Sequence, residues 1–129
     1  MATHIDTGQW GEETAAEYLC ACGWKIVERR WRDTAARGMR TDIDIIAISP
    51  DGVYHFVEVK TRTGRSSVQE DFSPEAAVTP AKARRMAQAA ERYMAHRNLT
   101  AETAVDLVAV RTVDGTGTPE IRYYSDLVR

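Results

Sequence analysis

Asp42-Ile43-Asp44-Ile45-Ile46-Ala47-Ile48-Ser49-Pro50-Asp51-Gly52-Val53-Tyr54-His55-Phe56-Val57-Glu58-Val59-Lys60 reads as two apolar strands joined by a tight turn. Pro50-Asp51-Gly52 has the composition of a three-residue hairpin loop: proline and aspartate suit the right-handed turn positions and glycine the left-handed third. On that register Ser49 pairs with Val53, Ile46 faces Phe56, Asp44 faces Glu58 and Asp42 faces Lys60. Residues two apart on a strand share a face. The four charged side chains therefore project from the side that carries Ile46, Ile48, Tyr54 and Phe56. Opposed like charges destabilise a sheet, and buried charge needs a partner or a metal. A divalent cation would compensate Asp44 against Glu58, since Mg²⁺ takes one or two carboxylates with water and phosphate oxygens. The competing reading is a solvated face with a weak Asp42–Lys60 ion pair.

Outward from the hairpin, the periodicity predicts a helix over about 8–21, capped by Thr7 and stopped by Gly23. Its inner stripe is Ala15, Ala16, Leu19 and Cys22, with Glu12 on the inward edge. A strand is expected over about 24–31. The polar stretch 32–41 reads as a loop, and 62–71, rich in small polar residues, as a mobile one. Thr79-Pro80 opens a long helix to about Arg97, with Ala83, Met86, Ala87, Ala90 and Met94 inward. Strands over about 104–110 and 120–124 close the chain. The order α-β-β-β-α-β-β predicts an α/β fold, a mixed β-sheet flanked by helices.

The chain has 129 residues, 43% hydrophobic and 28% charged, which suits a single domain over 1–129 with a real core. A formal net charge of −2 excludes a global affinity for polyanions, so any nucleic-acid contact must be local. No run is apolar enough to span a membrane. The first residues lack the basic and apolar parts of a signal peptide, so the expected compartment is the cytoplasm, with no membrane partner. The two cysteines, Cys20 and Cys22, are too close for a disulfide framework and lack nearby metal-ligating partners. They are expected to be small and mostly buried.

Asp44 with Glu58-Val59-Lys60 resembles the PD-(D/E)xK nuclease motif. Gly8-x-x-Gly11-Glu12 with Ala15, Ala16 and Leu19 resembles the opening helix of the YraN family, uncharacterised bacterial proteins usually described as endonucleases. Asp42-Ile43-Asp44-Ile45-Ile46 is similar to that family's Gly-Glu-Ile-Asp-Leu-Ile element, and Phe56-Val57-Glu58-Val59-Lys60-Thr61-Arg62 to its Phe-Val-Glu-Val-Lys-x-Arg element. Lys82 and Val105-Asp106-Leu107-Val108-Ala109-Val110 fit its later segments. The likeness spans about residues 8–110. It departs where no proline precedes Asp44, and where Asp42 and Thr41 stand for the usual glutamate and glycine. It implies a restriction-endonuclease-like core, an arrangement shared by Holliday junction resolvases.

The resemblance implies a Mg²⁺-dependent DNA endonuclease, with Mn²⁺ as substitute, acting in repair, recombination or DNA uptake on branched or single-stranded DNA. Asp44 and Glu58 would bind the metal, with the Val59 carbonyl as a further ligand. Lys60 would orient the attacking water or stabilise phosphorane charge, and Glu12 would complete the acid cluster. Arg30, Arg32 and Arg40 before the hairpin, Arg62 after it, and Lys82 and Arg85 on the long helix are the expected nucleic-acid contacts, joined by Arg37 and Arg65. Trp31 among them could stack on an unpaired base. A homodimer is the assembly that a junction substrate would call for. Two other functions compete: a nucleic-acid-binding protein that keeps the nuclease fold without turnover, and a structural protein whose acids merely pair with Lys60 and arginines. Asp106, among apolar neighbours, reads as structural. His4, His55 and His96 carry no assigned role.

Overall fold

The computed structural model describes residues 7–34, 40–63, 77–112 and 117–128. Helix α1 spans Thr7–Ala21, strands β1, β2 and β3 span Lys25–Asp33, Thr41–Ile48 and Tyr54–Thr63, helix α2 spans Pro80–His96, and strands β4 and β5 span Thr103–Thr112 and Glu120–Tyr124. The expected order α-β-β-β-α-β-β is the observed one. The strands form one sheet in the order β1-β2-β3-β4-β5. Neighbours are antiparallel except β3 and β4, which run parallel across the crossover that contains α2.

The sheet is covered on both faces. Ala15, Ala16 and Leu19 of α1 pack on Ile45, Ala47, Val57, Val59, Val108 and Val110. Ala83, Met86, Ala89, Ala90, Tyr93 and Met94 of α2 pack on Ile43, Ile46, Phe56, Val105, Leu107 and Ala109. This explains the near-continuous apolar runs of β2, β3 and β4: strands buried on both faces lose the polar half of the alternation. The stripe expected for α2 needs one change. Ala89 and Tyr93 are buried and Ala87 is only partly so. Tyr93 is the largest side chain in that core, edge-on to both Phe56 and Trp31.

One local expectation holds in detail, and one close approach is new. Thr79 caps α2, its hydroxyl accepting from the Lys82 N–H, with Pro80 as the first helical residue. Gly11 is buried where α1 crosses β3, and a Cβ there would stand 1.8 Å from Thr61 Oγ1. Only glycine lets the helix approach so closely.

The cysteines depart from expectation. Cys20 and Cys22 are both exposed, because the buried face of α1 ends at Leu19 and the chain turns out through Gly23, at φ +89. His4, Arg37 and Arg65, and the loop core at 64–71, lie outside the described residues.

Candidate active site

The hairpin has the register its turn dictates. Ile48, Ala47, Ile46 and Ile45 pair with Tyr54, His55, Phe56 and Val57. Ser49 N–H donates to the Val53 carbonyl at 3.0 Å and Gly52, at φ +87, closes the loop. The ladder then stops. The Asp44–Glu58 and Asp42–Lys60 rungs expected from the count do not form, and the Val59 N–H donates instead to Asp44 Oδ2 at 2.8 Å. A carboxylate has taken the place of a strand carbonyl, and β2 separates from β3 at Asp44. The physical reason is the one that made the pair conspicuous: facing carboxylates repel, and a side-chain acceptor satisfies the freed backbone donor.

A matching break lies on the other side of β2. The β1–β2 register passes from Arg29–Ile45 to Trp31–Ile43 without an Arg30–Asp44 rung. Ile43 belongs to the α2-side core and Ile45 to the α1-side core, so the strand changes face at Asp44. On β1, Arg30 adopts φ 56, the left-handed region. Consecutive Arg29 and Arg30 thereby both reach α1, at Glu13 and Glu12, each within 3.0 Å. Positive φ in a non-glycine strand residue is uncommon and costs on the order of 1 kcal/mol, which the surrounding packing must sustain.

These two kinks build a charged cleft. Glu12, Arg30, Arg32, Asp42 and Asp44 line a cavity of about 200 Å³. Burial, and next the neighbouring Glu58 charge, push the Asp44 carboxyl up to about 7. Glu12 adds to that push, while the Val59 N–H and Lys82 oppose it. Glu58 is buried at the edge of the α2-side layer, with Lys60 Nζ at 3.4 Å from one carboxylate oxygen and Lys82 Nζ at 4.0 Å from the other.

The predicted residues therefore sort by position. Asp44 neighbours Glu58 closely enough for their charges to interact, and Lys60 reaches Glu58. Glu12 lines the same cavity as Asp44, but its carboxylate is held by Arg30 at 2.9 Å. Among the described residues no three His, Cys, Asp or Glu side chains converge into a metal-holding group. Val59 meets Asp44 through its N–H. Asp42 forms no rung with Lys60; Arg32 and Arg40 approach its Oδ1 at 3.5 and 3.6 Å. Lys82, expected as a nucleic-acid contact, sits at Glu58 because the capped first turn of α2 points it there. Arg85 lies half-buried one turn later, and Arg62 is exposed on β3 opposite Arg111.

Sequence reasoning passed over one network. The Asp106 carboxylate, fully buried, accepts from His55 Nδ1 at 2.5 Å, the Tyr123 hydroxyl at 2.8 Å and the Asp126 N–H at 2.9 Å. His55 Nε2 lies 2.9 Å from Ser49 Oγ, and Trp24 stacks on the imidazole. Serine, histidine and aspartate follow the order of a hydrolytic triad, but Ser49 Oγ is also bonded to the Asp51 carboxylate and the Val53 carbonyl. The network clamps the hairpin turn to β4 and to the chain after β5. Burial, then Asp106, raises the Tyr123 pKa, which keeps its hydroxyl a donor. The signal for it was present in the sequence: His55 and Asp106, like Asp44 and Glu58, are ionisable residues inside apolar strands.

A family model described as "Uncharacterised protein family UPF0102" matches residues 11–110. A UPF0102 protein of Flavobacterium psychrophilum is 38% identical over 111 residues, 85% of this chain and 84% of that protein. One of Symbiobacterium thermophilum is 44% identical over 88 residues, 68% of this chain and 66% of its own length. One of Oleidesulfovibrio alaskensis is 37% identical over 118 residues, or 91% of this chain; the chain spans about half of that protein, 54%. Among the described residues no helix is long and apolar enough to cross a membrane.

Proposed function

The chain belongs to UPF0102, an uncharacterised protein family, and from its own residues we propose that it is a metal-dependent endonuclease hydrolysing phosphodiester bonds in DNA. One observation carries the reading. Asp44 and Glu58 are neighbours at the point where the sheet opens, and burial followed by the Glu58 charge pushes the Asp44 carboxyl up to about 7. An acid so perturbed in a cleft is a functional-site candidate.

The donor set fits Mg²⁺, or Mn²⁺ in its place: two neighbouring carboxylates whose repulsion a cation would remove, with room for water and phosphate oxygens. Asp44 and Glu58 would hold the ion, which when bound would neutralise phosphate charge and lower the pKa of water. The Val59 N–H orients Asp44 for that task. Lys60, with 45% of its side chain exposed, can reach a phosphate or an attacking water while remaining tied to Glu58. Lys82 supports Glu58 from the helix side. Arg30, Arg32 and Arg40 line the approach and would bind flanking phosphates.

A second reading, nucleic-acid binding without turnover, draws on Glu12, whose carboxylate is held by Arg30 and so withheld from a third acid position. Two measurements decide. Calorimetry with Mn²⁺ should show binding heat that Asp44→Ala removes. Wild-type protein with Mn²⁺ should slowly cut branched or single-stranded DNA, and Glu58→Ala or Lys60→Ala should abolish cutting. Metal binding without cleavage of any DNA form would leave the binding-only reading standing. Absence of both would reject the proposal.

A further inference from the structure

A second cavity, of about 230 Å³, lies between the end of β1 and the last turn of α2. Its walls include Trp31, Arg32, Asp33, Arg92, His96 and Arg97. We infer that this cavity is a nucleotide subsite that takes one unpaired nucleotide of a nucleic-acid strand, base against Trp31 and phosphate among the arginines.

Charge comes first. Three guanidiniums surround the cavity against one lining carboxylate, Asp33. Asp42 and Glu28 approach Arg32 and Arg97 from outside the lining, and the C-terminal end of α2 adds about half a negative charge, so what the wall itself presents to a ligand is mostly guanidinium N–H donors. The arginines are also positioned in advance. Buried Asp33 accepts from Arg92 Nε at 2.7 Å and lies 2.6 Å from its Nη2. Arg97 lies over the Tyr93 ring, 4.0 Å from its centroid, and reaches Glu28 at 3.4 Å. A guanidinium has five N–H donors, more than these partners consume, and a held guanidinium loses less freedom when it binds phosphate.

Shape comes second. The Trp31 indole is half-buried and stands edge-on to Tyr93 at 87°, with centroids 5.3 Å apart. That contact fixes the plane of the ring and offers a rigid face to a base, a sequence-tolerant interaction. The cavity is smaller than the roughly 300–1,000 Å³ of drug-sized ligand pockets, which suits one base and not a large cofactor. A paired base is stacked within its duplex and cannot present its face to Trp31, so the occupant is unpaired.

Continuity comes third. Arg32 lines this cavity and also the one that holds Glu12 and Asp44. A strand with a phosphate at Asp44 would pass Arg32 before its neighbouring nucleotide reached Trp31. Only this last point rests on the proposed catalytic reading; charge and shape stand without it.

The test works without metal. In chelator, wild-type protein titrated into fluorescein-labelled oligothymidylate of about a dozen nucleotides should bind, and binding should quench tryptophan fluorescence. Trp31→Leu should weaken binding about tenfold and remove most of the quench, with duplex affinity changed less than about twofold. Arg97→Gln, at an exposed position on the outer side of the Tyr93 ring, should weaken it similarly and lower the salt slope by about one. Wild-type protein that fails to bind oligothymidylate overturns the inference. So does an Arg97→Gln variant with a native melting curve and unchanged single-strand affinity. Loss of single-strand binding in both variants, in a protein that never cuts, would remove the catalytic proposal and keep the subsite. Undiminished binding in a protein that does cut would do the reverse.

Discussion

At the scale of single residues, Asp44 is the point where chain geometry and chemistry meet. It replaces a strand carbonyl, marks the change of face in β2 and keeps its proton unusually tightly. The native state holds that proton up to about pH 7, and the unfolded chain only to about pH 3.9. Unfolding between those values releases a proton, so stability falls as pH rises through that window. Asp44→Asn should therefore raise stability in metal-free buffer at pH 8, and the gain should vanish near pH 4. Each pKa unit is worth about 1.4 kcal/mol; because Asp44 keeps some solvent contact, a gain of about 1–2 kcal/mol is expected by urea denaturation. A gain that is the same at both pH values would refute the assignment. Arg30 gives an independent check on the kink. Arg30→Gly removes the positive-φ cost and an ion pair exposed on its arginine side together, two opposed terms, so stability should change by less than about 1 kcal/mol. Arg30→Val should cost about 1–2 kcal/mol more than the glycine variant, since a branched side chain resists φ 56. Asp44 and Glu58 were conspicuous in the sequence as charges in apolar runs. The Arg30 kink was not, because backbone conformation at a polar strand residue leaves no compositional trace.

At the scale of elements, helix α1 sets the position of Glu12 and, through it, Arg30. Its distance from the sheet depends on Gly11 against Thr61. Gly11→Ala should push the helix outward and cost about 1–3 kcal/mol, as overpacking does. Adding Thr61→Ala should recover part of that loss. A Gly11→Ala variant as stable as wild type, measured by chemical denaturation, would show that the helix can yield without strain. Helix α2 was legible because its signals are local: Thr79, Pro80 and a 3.6-residue apolar period. The face it buries was shifted toward Ala89 and Tyr93, since periodicity locates a stripe only within about one residue position. The hairpin register was legible because turn chemistry fixes it. The end of its ladder was not, because turn chemistry extends the register without weighing the repulsion of Asp44 and Glu58 that ends it.

At the scale of the whole molecule, one sheet carries two kinds of buried polar chemistry along β3, at His55 near its start and at Glu58 in its middle. The His55–Asp106 network holds the hairpin turn, β4 and the segment after β5 together. Asp106→Ala should leave His55, Tyr123 and the Asp126 N–H without their acceptor and cost about 3–5 kcal/mol. It should leave Mn²⁺ affinity at Asp44 within about threefold of wild type. Thermal melts with calorimetry separate the two effects, and a large loss of metal affinity in a folded variant would show that the two are coupled. Periodicity, turn residues and caps determined the order of elements, the hairpin register and the three charges of the candidate site, because each depends on neighbours close in the chain. Tertiary structure alone decided which charges face one another. It gave Asp42 to Arg32 and Arg40, Glu12 to Arg30, and Lys82 to Glu58. Apart from Arg40 with Asp42, those pairings join residues on different elements, and they follow from a kink in β1 and the placement of two helices on opposite faces of the sheet.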